Sequence, residues 1–295
     1  MKNHPSACAE FSENQINALI HLLSDQDPHI AQTIHDQLVA IGPPALALLQ
    51  QSKGSPENPT MSDRLNAVIT DIKGIEIEQA FTTLMDSPTD SVDLEKGAFF
   101  IAQAAYPDLD IQGYQHQIQQ MSETIKDRCT PNLAPRQAIQ IINQHLFHEL
   151  GFKGNTQDYY DPNNSFLNQV LDRRLGIPIS LSVLYLLVGQ RLNVPIIGIG
   201  LPGHFIVGLK NEPVFIDCFN QGVILTEKNC AKFLEEYGVE FDRQYLSPVS
   251  NTQILARMLR NLVAIYHKRD EAQHTKRFTR LLAIAEPGEA PLPNE

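Results

Sequence analysis

The apolar positions of this chain change period twice along its length. Over residues 11 to about 75 they recur every three to four residues. Ile16, Leu19, Ile20, Leu22 and Leu23 make one stripe, and Ile30, Ile34, Leu38 and Ile41 make a second. That spacing places each set on one face of a helix. Between them, Ser24 to Pro28 supplies a turn and an N-terminal cap. Gly42-Pro43-Pro44 then stops the second helix, and a third begins over Ala45 to Gln51. Lys53 to Thr60 is rich in Pro, Gly and Ser and predicts a loop, with a further helix over Arg64 to Ile72. Residues 86–93, DSPTDSVD, are polar, turn-forming and without period, and mark the best domain boundary. Helical spacing resumes at Leu94 to Ala105, Ile111 to Lys126 and Pro135 to Glu149.

A polar loop follows, Gly151 to Ser165, with two adjacent tyrosines and three asparagines in GFKGNTQDYYDPNNS. A loop of this composition beside a candidate site is either functional or a cap for neighbouring backbone. Asn164 or Ser165 is placed to cap a short helix over Phe166 to Arg174, which Gly176 stops. Pro178 suits the first turn of the next helix, Ile179 to Leu192. From Asn193 the period shortens towards two. Strands are expected at Ile196 to Gly200, Gly203 to Leu209 and Val214 to Asp217, with Lys210 to Pro213 as a hairpin turn. Helical spacing returns over Ser250 to Ala285, through Ile254, Leu255, Met258, Leu259, Leu262 and Ile265, with a second helix around Phe278 to Ile284. The final EPGEAPLPNE reads as a frayed tail.

The strands carry the candidate chemistry. A turn centred on Asn211 and Glu212 sets Ile206 opposite Asp217. His204, two residues from Ile206, then shares a face with Asp217 as its diagonal neighbour, with Cβ atoms roughly 7 Å apart. Phe205, Val207 and Leu209 point the other way with Val214 and Ile216. A carboxylate so placed accepts the proton of one ring nitrogen and leaves the other facing the start of the preceding helix. That is the base and its orienting acid in an acyl-transfer site. A thiol at the helix start would feel the positive end of the dipole and ionise readily. The residues there are Pro178, Ile179 and Ser180. Ser180 is the candidate nucleophile, and equally an ordinary first-turn capping serine. Cys218, next to Asp217, is expected on the opposite face in a structural role. His145 and His148 lie three apart on a helix beside Glu149, but no second ligand cluster accompanies them. No metal and no cofactor is expected.

Composition narrows the class. With 42% hydrophobic and 19% charged residues over 295 positions, this is a folded chain with a sizeable core. A net charge of −11 argues against nonspecific nucleic-acid or anionic-membrane partners, which need clustered cations. Arg257, Arg260, Lys268, Arg269, Lys276, Arg277 and Arg280 sit on the C-terminal helical stretch and read as a solvated or acid-facing helix surface. The four cysteines have no CxxC spacing and suggest no disulfide framework. The N-terminus lacks an apolar stretch of signal-peptide length, and no run approaches a membrane span. A cytoplasmic chain with reduced thiols is expected.

Two resemblances follow from these residues. LLSDQDPHIAQTIHDQLVAIGPPALALL resembles a HEAT-like helical repeat. GFKGNTQDYYDPNNSFLNQVLDRRLGIPISLSVLYLLVGQRLNVPIIGIGLPGHFIVGL, followed by VFIDCFNQG, resembles the SirB1 family of transglutaminase-like and TPR-containing proteins. The likeness runs from about Asp93 to Tyr266 and takes in LSPVSNTQILARMLRNLVAIY, similar to the start of that family's TPR region. It implies an α+β, papain-related transglutaminase-like core with a short antiparallel sheet at residues 86–248. N-terminal HEAT-like helices at 1–85 and a C-terminal TPR-like helical hairpin with its tail at 249–295 would flank it. It also implies that His204 and Asp217 take the places of the catalytic histidine and aspartate. The cysteine's place falls on Ile179–Ser180, where no cysteine stands. The expectation is a protein-interaction or regulatory module with a protein or peptide partner. The alternative is a hydrolase or acyltransferase using Ser180, His204 and Asp217.

Overall fold

Short polar side chains set several helix starts. Ser12 opens α1 (Glu13–Leu22) through a reciprocal capping box with Gln15, and Asp27 caps α2 (Pro28–Ile41) from just before Pro28. Gly42, at φ +73°, turns the chain into α3 (Pro43–Ser52). The computed structural model describes residues 11–53, 59–88, 91–236 and 238–288. It divides into two units, one to Gln79 and one from Ala80 onward.

In the first unit, α1 to α3 and α4 (Pro59–Met85, belonging here as far as Gln79) enclose one apolar cluster. Ile16, Ile20, Leu23, Ile34, Leu38, Leu49, Leu65, Val68, Ile69 and Ile72 form its buried centre. Leu22 and Ile30, expected in the stripes, are instead exposed, since each lies off the arc its helix turns inward. The Arg64 guanidinium donates to the carbonyls of Leu23 and Asp25 and closes the α1–α2 turn. The helix expected over Arg64 to Ile72 is longer at both ends. Pro59 and Thr60, read as loop, belong to its first turn, and residues 54–58 lie outside the described residues.

The second unit opens with α5 (Leu94–Ala105), capped by Asp93, and α6 (Ile111–Lys126), capped by Asp110. α7 (Pro135–Asn143) ends in a π-helical turn, Gln144–Glu149. Two-residue strands β1 (Lys153–Gly154) and β2 (Leu175–Gly176) pair in parallel around α8 (Leu167–Arg173). α8 has no side-chain cap, contrary to the expectation for Asn164 or Ser165, and it ends at Arg174 in the left-handed conformation rather than at Gly176. α9 (Pro178–Arg191) is the central helix, with Pro178 at its first turn.

After α9 comes an antiparallel meander in strand order β3 (Ile196–Leu201), β4 (His204–Leu209), β5 (Phe215–Asp217), β6 (Val223–Leu225). α9 packs on β3 and β4. On that side Gly198 lies close to Ile254 and Phe205, and Gly189 close to Ile196. The opposite face carries Ile199, Leu201, Ile206 and Phe215. It is covered by Cys230 of α10 (Glu227–Glu236) with Phe233, Tyr245 and Leu246. β6 and α10 were not expected. α11 (Asn251–Lys268) and α12 (Ala272–Ala285) pack on each other and on α5. Asn251 donates to Val92 O and Arg277 to Ala104 O. α11 and α12 lie, with the sheet, in the unit that runs from Ala80 onward. Among the described residues no helix is long and apolar enough to cross a membrane.

Candidate functional site

His204 begins β4 directly after Gly203, which turns the chain at φ +71°. The turn is clamped from α11. One guanidinium nitrogen of Arg257 donates to Leu201 O at 2.8 Å and to His204 O at 2.7 Å, and the group lies over the Phe205 ring. Asp217 ends β5. The observed pairs Val207–Ile216 and Gly208–Phe215 follow the register that a turn at Asn211–Glu212 dictates. His204 and Asp217 therefore share the face covered by α10.

Their side chains meet, with His204 Nε2 3.0 Å from Asp217 Oδ2. Both are buried. The same carboxylate oxygen accepts from Asn220 Nδ2 at 2.8 Å, while Oδ1 accepts the backbone N–H groups of Phe219 and Asn220. Burial pushes the Asp217 carboxyl up, but the bonds from His204 and Asn220 outweigh it and hold the group below its ordinary range. A carboxylate held this way fixes the imidazole's orientation and keeps a proton on Nε2. His204 Nδ1 makes no hydrogen bond among the described residues. Phe233 tilts against the ring at 5.1 Å, and Phe219 stands edge-on at 6.5 Å. Phe219 in turn sits over Gly154, where any Cβ would lie 2.5 Å from its ring.

Ser180 is placed differently. Its side chain is fully buried in the first turn of α9. Oγ accepts the Ile177 N–H at 3.0 Å and donates to Asn164 O at 2.5 Å. The first bond is the reach-back half of a capping box, and the second ties the helix to the asparagine loop. Ser180 makes no hydrogen bond to His204. Asn164 anchors the loop further, donating to Asp158 O and Tyr159 O and accepting from Asn155. Capping of backbone groups therefore accounts for Asn155 and Asn164, whereas the Asn163 side chain accepts the Tyr106 hydroxyl. The cysteines stand apart from this chemistry. Cys218 is fully buried and its thiol is pushed well above the usual range by burial. Burial likewise raises Cys230 to about 11 and lifts Cys129 above its ordinary value. His145 gives Nδ1 to Glu149 at 2.6 Å, and among the described residues no three acidic, His or Cys side chains converge as metal ligands.

Sequence reasoning missed Asn220, Phe219, Phe233 and Arg257. Asn220 was within reach, because an aspartate followed three residues later by asparagine marks an Asx-type turn. The others act across elements far apart in the chain.

The sequence model of the transglutaminase-like superfamily matches residues 112–260, from α6 into α11, with both members of the pair inside. The chain belongs to the transglutaminase-like superfamily. Among its relatives is a UPF0162 protein of Xylella fastidiosa strain 9a5c, 36% identical over 202 residues, covering 64% of this chain and 72% of that one. The UPF0162 protein of Vibrio cholerae is 26% identical over 181 residues, covering 60% of this chain and 67% of its own. Mouse F-box only protein 21 is 36% identical over 139 residues, which are 44% of this chain and 22% of that protein. No solved structure matches this transglutaminase-like chain.

Proposed function

We propose that this chain is a protein-interaction or regulatory module built on a transglutaminase-like core that keeps the base and its orienting acid but lacks the thiol. The observation that carries this reading is the commitment of Ser180. At the position where a nucleophile is wanted, a buried hydroxyl is spent on Asn164 O and Ile177 N. The described thiols are all raised and so protonated near neutral pH, and none is hydrogen-bonded to His204. The occurrence of a matching segment within 22% of a much longer F-box protein supports a portable module rather than a free-standing enzyme. On this reading the partner is a protein or peptide, the helices of the first unit are a HEAT-like arm, α11 and α12 are a TPR-like hairpin of SirB1 type, and the chain works in the cytoplasm. The described cysteines are all free, in keeping with a reducing compartment.

A second reading, a hydrolase or acyltransferase using Ser180, His204 and Asp217, draws on the 3.0 Å His204–Asp217 bond. It requires Ser180 to leave both of its present partners. A serine-reactive fluorophosphonate probe separates the two. The module reading expects no labelling of folded protein, whereas labelling that both Ser180→Ala and His204→Ala abolish establishes the enzyme.

A further inference from the structure

One ring nitrogen of His204 is left without a bond. Nε2 is held by Asp217 at 3.0 Å, while Nδ1 has no hydrogen-bond partner among the described residues. The residue as a whole is only 9% exposed. Nδ1 is nevertheless not among the buried nitrogens and oxygens that lack a partner, so its lone pair reaches open space. The proton that Asp217 holds on Nε2 fixes the tautomer and makes Nδ1 an acceptor and a base. A ring set in this way receives a ligand atom that carries a proton.

The surroundings narrow the choice. Phe233 lies against the imidazole at 5.1 Å and Phe219 stands edge-on at 6.5 Å. Tyr159 packs on Phe219 at 5.9 Å and Tyr160 on Tyr159 at 5.3 Å, and both tyrosines are exposed. A row of rings thus runs from the surface to His204. Two charges accompany it. Asp217 steadies an imidazolium, and Arg257, which donates only to the carbonyls of Leu201 and His204 among the described residues, steadies an anion beside it. Cys230, from α10 on the same face, is fully buried, raised to about 11 and not bonded to His204. Of the common proton-bearing groups, a thiol fits this set. Its ordinary value near 8.5 is within about two units of the imidazole's, so the proton passes at modest cost. A serine hydroxyl is far too weak an acid, and a lysine ammonium is weaker than a thiol and strongly hydrated. Sulfur also gains from contact with ring edges at about 5 Å.

We propose that His204 Nδ1 binds and deprotonates a thiol supplied from outside the chain, either a cysteine side chain of the partner or a free small thiol. The S–H bond breaks, its proton moves to Nδ1, and the sulfur keeps the electron pair as a thiolate beside the imidazolium. No other reactant is needed. The inference rests on the reading of this core as a module without its own nucleophile, and it gives the partner of that module a chemistry.

The test is an NMR titration of the full ¹⁵N-labelled chain near neutral pH. The ligands are a blocked cysteine (acetylated at Nα, amidated at the carboxyl, ¹³C at Cβ), the same cysteine between two glycines in a blocked peptide, and a blocked serine as control. Either thiol should move the His204 imidazole nitrogens, identified by their loss in His204→Ala, saturably towards the protonated range, and the serine should not. The Cβ signal of the bound cysteine should place its ionisation at least about one pH unit below that of the free compound, a tenfold gain in thiolate. Tighter binding of the peptide assigns the site to a protein partner, and binding of the single residue as tight or tighter assigns it to a free small thiol. Asp217→Asn, checked for folding by its amide spectrum, removes the charge behind the imidazolium and should abolish most of that gain. Ser180→Ala should respond as the wild type does. An unmoved His204 signal, a thiol ionisation that stays at its free value, the same gain in Asp217→Asn, or equal binding of the serine overturns the proposal. Failure of the module reading is seen separately, as fluorophosphonate labelling of Ser180 whatever the thiol does.

Discussion

Ser180 shows how one hydroxyl separates two accounts of the same residue set. It satisfies a buried N–H and a buried carbonyl at once, so Ser180→Ala leaves them only their long 3.4 Å bond to each other. A cost of about 1–3 kcal/mol is expected, read as a lower urea midpoint. The alanine should leave the His204–Asp217 bond intact, visible as an unchanged imidazole NMR signal. Asp217 yields a prediction with a sign. Its carboxyl is held below the ordinary range in the folded chain. The stability it adds is complete above its unfolded value, near 4, and is lost as pH falls through the lower folded value. Urea midpoints should fall for the wild type across that acid window, and fall less steeply for Asp217→Asn. At this scale the sequence was legible for the pair and not for the serine. The alternation of β4 and β5 and the four-residue turn fix which side chains face one another. The partner that occupies Ser180 is a carbonyl sixteen residues away, which no local pattern announces.

At the scale of elements, legibility followed burial. α5, α6 and α9 have end residues written into the chain, namely Asp93, Asp110 and Pro178. β6 and α10 escaped because three apolar residues at a sheet edge and a short polar helix carry little periodic signal. Val223 and Ile224 are half-exposed, and α10 buries only Cys230 and Leu234. The π-helical turn at Gln144–Glu149 was read as plain helix, since the apolar spacing that buries Leu146 and Phe147 serves either winding. β1 is held to the chain beyond β5 through Gly154, whose N–H donates to Phe219 O at 3.1 Å. Gly154→Ala drives a methyl into both the Phe219 ring and its carbonyl. An overpacking cost of about 1–3 kcal/mol is expected by denaturant unfolding, together with a shifted His204 resonance as Phe219 moves.

For the whole molecule, two features decide behaviour. A net charge of −11 predicts no detectable shift of DNA in a gel at about 0.15 M salt, because the cations gathered on α11 and α12 are largely committed within the chain, Arg257 and Arg277 to backbone carbonyls and Arg260 and Arg269 to Glu286 and Glu271. The division at Gln79 and Ala80 predicts that residues 80–295 expressed alone unfold in one cooperative transition by circular dichroism. A featureless melt would show that the second unit cannot stand by itself. The central claim, a transglutaminase-like core whose base has no nucleophile to serve, is tested most directly by intact-mass spectrometry after exposure of the full chain to an activated acyl ester. The account predicts no acyl adduct on Ser180. A single adduct that maps to Ser180 and vanishes in His204→Ala would contradict it.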